Sequence, residues 1–197
     1  MRAIILAENS HCELAPLTNH IPHALLPLAG KPLLLHALEV LHRSSVHDVE
    51  VVAPQLHKQL EAGVNTGPLL GMEVTFSPRM PNLVDHRESS LVIGLRDLAD
   101  INWNEVFAEL GDLGPRSPMP IRMVSGGVPV ALMVPPGFDG TISCDWFDIH
   151  HTEAVLMPVN AEAMVQTGSI PEYYEANFRI LNEEFDYLTP AGREFTI

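Results

Sequence analysis

Residues 8 to 13, Glu8, Asn9, Ser10, His11, Cys12 and Glu13, put two carboxylates, a thiol, an imidazole and two small polar groups into one stretch. A thiol between imidazoles, here His11 and His23, becomes a nucleophile when a cation or a helix N-terminus lowers its pKa. Glu13 works against that. A second concentration is Cys144-Asp145-Trp146-Phe147-Asp148-Ile149-His150-His151, with five groups able to ligate a metal. Zinc favours Cys and His, but no second Cys-His cluster completes a tetrahedral set, and adjacent histidines on a strand point to opposite faces. The plainer reading is a surface turn whose Trp146 and Phe147 pack inward. Tyr173 and Tyr174 read as packing residues.

The elements that must position these groups follow from periodicity. Ala3-Ile4-Ile5-Leu6-Ala7 has the look of a buried parallel strand. Leu34, Ala37, Leu38 and Leu41 recur at helical spacing over Leu33–His42. Val49–Ala53 predicts a second strand stopped by Pro54, Gln55–Ala62 a helix ended by Gly63, and Met72–Phe76 a third strand. This β-α-β-α-β alternation predicts right-handed crossovers and an α/β fold with a doubly wound, mostly parallel sheet. Ligands bind such sheets at the carboxyl ends of the strands, where residues 8 to 13 lie. Further on, Ser89–Leu98 and Trp103–Leu110 read as helices. Residues 114 to 120 read as a loop, and Val128–Val134 and Ala154–Val159 as strands. Ser169 with Glu172 three residues on predicts a capping box over a helix to about Glu183.

The frame Ala3 to Ala7, Pro16-Leu17-Thr18, Pro22, Leu25-Leu26-Pro27 and Gly30-Lys31-Pro32-Leu33-Leu34 resembles the opening of the sugar-phosphate nucleotidyltransferases, the nucleotide-sugar pyrophosphorylases. Gly168-Ser169-Ile170-Pro171-Glu172-Tyr173-Tyr174-Glu175-Ala176-Asn177 is similar to that family's Gly-Thr-Pro-Glu-Asp-Tyr-Leu-Glu-Ala-Asn helix start. The resemblance covers residues 1 to 65 and 165 to 194, and the span between is short for the family. It implies a Rossmann-like nucleotide-diphospho-sugar transferase fold, shortened in the middle where the sugar-pocket loops would sit.

The residues that do the family's chemistry are replaced. Its Gly-x-Gly-Thr-Arg loop is Asn9-Ser10-His11-Cys12-Glu13 here, and its Pro-Lys lysine is His23. Glycines let backbone amides approach phosphates, and cations neutralise the transferred phosphoryl group. Glu13 in place of Arg repels instead. Like charges about 4 Å apart cost about 4 kcal/mol at an effective dielectric near 20, enough to slow turnover several-hundredfold or more. His23 carries a charge only near or below a pKa of about 6.5. The family's Trp-x-Asp, whose Asp helps hold Mg²⁺, falls at Met164 and Gln166, and an amide brings no charge. Asp97, after Arg96, and Asp112, after Gly111, are the candidates for the family's other metal carboxylate, although a solvated carboxylate is the simpler reading of each.

The resemblance therefore implies a domain with eroded phosphate- and Mg-binding motifs and no catalytic residue. Its role would be regulatory or scaffolding, linked to sugar-nucleotide or polysaccharide metabolism. The degenerate ligand-loop positions are Glu8, Asn9, Ser10, His11, Cys12, Glu13, His23, Lys31 and Gln166. A divergent active enzyme is the opposing expectation, with Mg²⁺ and with Lys31 and Arg2 as its cations. A third is an assembly module for a C-terminal β-helix acyltransferase. Pro190-Ala191-Gly192-Arg193-Glu194 resembles the segment before a left-handed β-helix, so residues 1–197 are either one whole domain or the first part of a longer protein. Inactive siblings in this family pair with active ones, which implies a homo- or hetero-oligomer.

Composition narrows the partners. The 197 residues carry a net charge of −14 with only 11 Lys and Arg, which disfavours a nucleic-acid backbone. A nucleotide or sugar phosphate would need a local basic pocket. Two cysteines give no disulfide framework, and no apolar run approaches a membrane span. Without a signal-like start, the cytoplasm is the expected compartment.

Overall fold

The computed structural model describes residues 1–7, 13–64, 71–111, 117–159, 164–186 and 188–190, apart from the side chains of Asp85, Phe147 and His150. Residues Glu8 to Cys12, Asp112 and Arg193 lie outside the described residues. A seven-stranded sheet forms the centre, in the order β10-β8-β9-β6-β1-β4-β5. Its strands are β1 (Arg2–Leu6), β4 (Asp48–Val52), β5 (Glu73–Ser77), β6 (Ser90–Gly94), β8 (Ile121–Ser125), β9 (Val128–Val134) and β10 (Val155–Pro158). The pairs β1–β4, β1–β6, β4–β5 and β8–β10 are parallel, and β9 runs antiparallel between β6 and β8.

Alternation along the strands divides the core in two. Ala3, Ile5, Val49, Val51, Leu91 and Ile93 point to a face covered by the four α-helices found among the described residues. These are α1 (Leu33–Arg43), α2 (His57–Gly63), α3 (Trp103–Leu110) and α4 (Ile170–Leu181). Ile4, Leu6, Val52, Val92, Leu132 and Val134 point to the other face, where Leu83, Ile142, Trp146 and Ile149 come from short 3₁₀ turns and loops. β1 is buried on both sides, so an unbroken apolar run serves it better than alternation.

Two smaller pairings matter for the site. β2 (Pro27–Leu28) and β3 (Lys31–Pro32) form a hairpin whose two turn residues, Ala29 and Gly30, both have positive φ. Only a residue without a Cβ takes Gly30's φ of 83° without strain. Asn177 of α4 accepts from the Ala29 N–H at 2.7 Å, which ties the hairpin to the family-like helix. β7 (Asp97–Ala99) pairs antiparallel with β11 (Met164–Gln166), placing Asp97 opposite Gln166.

Three sequence expectations are corrected. Ser89–Leu98 is not a helix but β6, a bend and β7. Leu91, Val92 and Ile93 are buried on both sides between β1 and β9, and burial on two faces outweighs the helical spacing. Ser169 precedes α4 but makes no side-chain cap bond. Its backbone is extended and bridged to Glu13, and Pro171 removes an N–H that a cap would have accepted. Tyr174 is not a buried packing residue: it is more than half exposed, with its ring edge-on to that of Tyr173, which donates its hydroxyl to the Pro27 carbonyl.

Candidate functional site

The carboxyl ends of β1, β4 and β6 lie together, since Leu6 is level with Val52 and with Gly94. The chain leaves β6 through Leu95-Arg96-Asp97, which carries Arg96 and Asp97 to that end. β11 returns beside it with Gln166, followed by Thr167 and Gly168. Glu13 closes the near side: its N–H donates to the Gly168 carbonyl at 2.7 Å. His23 approaches from the loop before β2, with Nε2 2.9 Å from Thr167 Oγ1. So Glu13, His23 and Gln166 come to one place, and Asp97 and Arg96 join them.

Asp97 is 5% exposed. Burial pushes its carboxyl above the ordinary range, against the opposing pull of Gln166, Arg96 and the Trp146 indole, with Glu172 adding repulsion. Gln166 Nε2 donates to Asp97 Oδ1 at 3.3 Å. Trp146 lies inward, flat against Gly94, and its indole N–H is buried without a hydrogen bond of normal geometry although it faces Asp97. Burial, with a smaller push from Arg96 and against the Thr167 hydrogen bond, lowers the His23 pKa to about 4. His23 is therefore neutral at physiological pH, its charged range lying below the 6.5 of a free imidazole.

Lys31 and Arg2 are placed elsewhere. Lys31 is 7% exposed on the β2–β3 hairpin and donates to Glu39 of α1. Arg2 opens β1 at the amino end of the sheet and pairs with Glu50 at 2.6 Å and with Asp48 at 3.5 Å. Arg2 is thus at the opposite end of the sheet from the site, and Lys31 is committed to a carboxylate. Lys31→Ala should instead lower stability, by about 2–3 kcal/mol, because it strands the Glu39 carboxylate. Urea melts would check this, and an unchanged midpoint would refute the pairing.

Among the described residues, Mg²⁺ finds no fitting set of ligands at this end of the sheet. A hard cation wants several oxygens with negative charge among them. Asp97 supplies one carboxylate, and the NH₂ of Gln166 points at that same carboxylate, where a cation would have to sit. The Cys144–His151 stretch is a 3₁₀ turn over Trp146–His151, in which Asp148 accepts from Ser143 at 2.8 Å. Among the described residues no three His, Cys, Asp or Glu side chains come together. The cavity beside Gln166, lined also by Glu172, Glu175 and Arg179, is only about 60 Å³. A larger one, about 350 Å³, lies away from this site, where Phe107, Leu110, Met133 and Pro136 meet.

Sequence reasoning singled out Gln166 and named Asp97 among the metal candidates. It missed Arg96 and Trp146 as site residues. The cue for Arg96 was available, since it occupies the Gly of the family-like Gly-Asp step before Asp97. No helix among the described residues is long and apolar enough to cross a membrane.

No family model matches the chain. Over 79 residues it is 30% identical to glucose-1-phosphate thymidylyltransferase of Streptomyces griseus, covering 40% of this chain and 22% of that protein. Over 117 residues it is 30% identical to the Mycobacterium tuberculosis (H37Rv) protein of the same name, covering 57% and 38%. N-acetylmuramate alpha-1-phosphate uridylyltransferase of Neisseria meningitidis serogroup B is 32% identical over 78 residues, covering 40% and 34%. The matched segments thus span well under half of these relatives. Among solved structures, a glucose-1-phosphate thymidylyltransferase candidate from Bacillus anthracis, with sucrose, superposes with a TM-score of 0.70 at 12% identity, covering 95% of this chain and 97% of that one. HddC from Yersinia pseudotuberculosis, with GMP-PN, gives 0.63 at 14%, covering 90% and 98%. In sequence the chain is a relative of the sugar-phosphate nucleotidyltransferases, and it folds as they do, around a mostly parallel seven-stranded Rossmann-like sheet.

Proposed function

We propose that this chain is a nucleotidyltransferase-like unit that does not run the pyrophosphorylase reaction and serves as a regulatory or scaffolding element in sugar-nucleotide or polysaccharide metabolism. The observation that carries this reading is the Gln166–Asp97 pair. An amide N–H occupies the direction from which a cation would approach the one buried carboxylate. The neutral His23, the committed Lys31 and the distant Arg2 add to it, because phosphoryl transfer depends on charge neutralisation. The comparisons support the metabolic setting through the names of the relatives.

A partner belongs to the same proposal. Tyr174, Phe178 and Leu181 are 56%, 64% and 54% exposed at helical spacing on α4, an outward apolar stripe that supports a homo- or hetero-oligomer.

The test is titration calorimetry of the purified chain with each NTP and with common sugar 1-phosphates, followed by pyrophosphate release with Mg²⁺. The expected outcome is ligand binding, or none, with no turnover above background. Turnover at ordinary enzyme rates would sink the proposal.

A further inference from the structure

We propose that Arg96 is the residue by which the crevice at the carboxyl end of β6 takes the phosphate of a ligand, and that it does so without a divalent cation. This rests on the preceding reading of the chain as a unit that does not run the pyrophosphorylase reaction. An anion brought there needs a positive group, and the three basic positions that the sequence suggested do not supply it. Lys31 is paired to Glu39, Arg2 lies at the far end of the sheet, and His23 is buried.

Arg96 stands at that end beside Asp97, and its guanidinium is only loosely paired there. Its side chain is 31% exposed, and its ion pair with Asp97 is loose, Nε to Oδ2 at 4.0 Å. Gly168 holds it in place: a Cβ on Gly168 would come within 2.6 Å of Arg96 Nε and 2.9 Å of Cζ, so the guanidinium lies against bare backbone. Contact of that kind fixes the side chain while leaving in-plane N–H groups to form the two-pronged bond that guanidinium makes with phosphate.

The metal is dispensable for the same geometric reason that it does not fit. Gln166 turns its NH₂ to Asp97, so the site offers hydrogen-bond donors where a metal-bridged site would offer carboxylate oxygens. Asp97 and Glu172 weaken the field an anion meets. Affinity then depends on directed guanidinium bonds rather than on net charge.

The experiment is titration calorimetry of the full chain with pyrophosphate, dTTP and glucose 1-phosphate, each in EDTA and in millimolar Mg²⁺. It is repeated with Arg96→Gln and Arg96→Lys, whose folding is checked by thermal melts. The expected result is binding of the preferred probe that changes by no more than about twofold between EDTA and Mg²⁺. Arg96→Gln should lose at least about tenfold, as removal of a charge-assisted bond does, and Arg96→Lys less. The probe that binds tells free phosphate, nucleotide and sugar phosphate apart. Binding that requires Mg²⁺, or that survives Arg96→Gln unchanged, overturns the inference while leaving the crevice a ligand site. Binding of no probe by the unaltered chain overturns the inference and leaves the scaffolding reading, which only turnover would overturn.

Discussion

The urea midpoint of this protein should fall steeply as pH is lowered from about 6.5 to about 4, and His36→Gln should remove about half of the fall. His36 and His23 are 0% and 8% exposed, and burial lowers each pKa to about 4. The His36 Nε2 lies 2.8 Å from the Leu28 carbonyl, to which it donates, and Nδ1 is buried without a partner. Protonating that ring would place a charge in the core next to Lys31, which already lowers its pKa.

The sign follows from linkage. Both histidines are neutral when folded but take a proton near 6.5 when unfolded, so the stability they supply is complete above that pH and is lost as pH drops toward about 4. At 1.36 kcal/mol per pKa unit, each loss is on the order of 3 kcal/mol, and roughly 6 kcal/mol together. A domain holds about 5–15 kcal/mol in all, so the protein should approach unfolding near pH 4. Asp97 acts in the opposite direction. Its raised pKa costs stability at neutral pH and returns it in acid, which blunts the fall without reversing it. Gln at position 36 can still donate to Leu28 but cannot ionise. A midpoint that stays flat between pH 7 and 4.5, or a full slope retained in His36→Gln, would show that burial of these rings is not what the structure says.

The fold was legible where the pattern was local. The Ala3–Ala7 run and the stripe Leu34, Ala37, Leu38 and Leu41 became the elements that their spacing predicts. β6 was misread because Ser89–Leu98 carries apolar residues that suit a helix face as well as a strand buried on two sides. Only its neighbours β1 and β9, distant in sequence, decide between them. β8 was passed over although Ser125-Gly126-Gly127 marks a tight hairpin, both glycines having positive φ. The short pairing of β7 with β11 carried no sequence signal. Three residues on each side are below any useful window, and they meet because Thr167 and Gly168 anchor to Arg96 and Glu13.

The site was half legible for a related reason. Gln166 stood out as an amide where the resemblance implies a carboxylate, and His23 as an imidazole where it implies a lysine. What each does there depends on burial and on contacts 69 and 144 residues away in the chain. No spacing rule reaches so far. Lys31 misled for the same cause: as a lysine in the frame it is a candidate cation, and only the Glu39 partner on α1 makes it structural.

Trp146→Ala should cost about 3–5 kcal/mol, and the cost of Gly94→Ala should largely vanish in a variant that already lacks the indole. Trp146 is 1% exposed and joins Ile4, Leu6, Val92 and Ile142 in the core on the sheet face that, among the described residues, carries 3₁₀ turns and loops. Large aromatic truncations in such places lose transfer energy and leave a cavity, because irregular segments around them collapse only in part. Gly94 is the floor under the ring: a Cβ there would overlap Cγ and Cδ2 of the indole. An alanine at position 94 in the unaltered protein should therefore cost about 1–3 kcal/mol through overpacking. In Trp146→Leu the added methyl meets less side chain, so the double variant should be more stable than the sum of the singles by about 1–2 kcal/mol. Urea melts of the four proteins measure this coupling, and strict additivity would mean that the indole does not rest on Gly94.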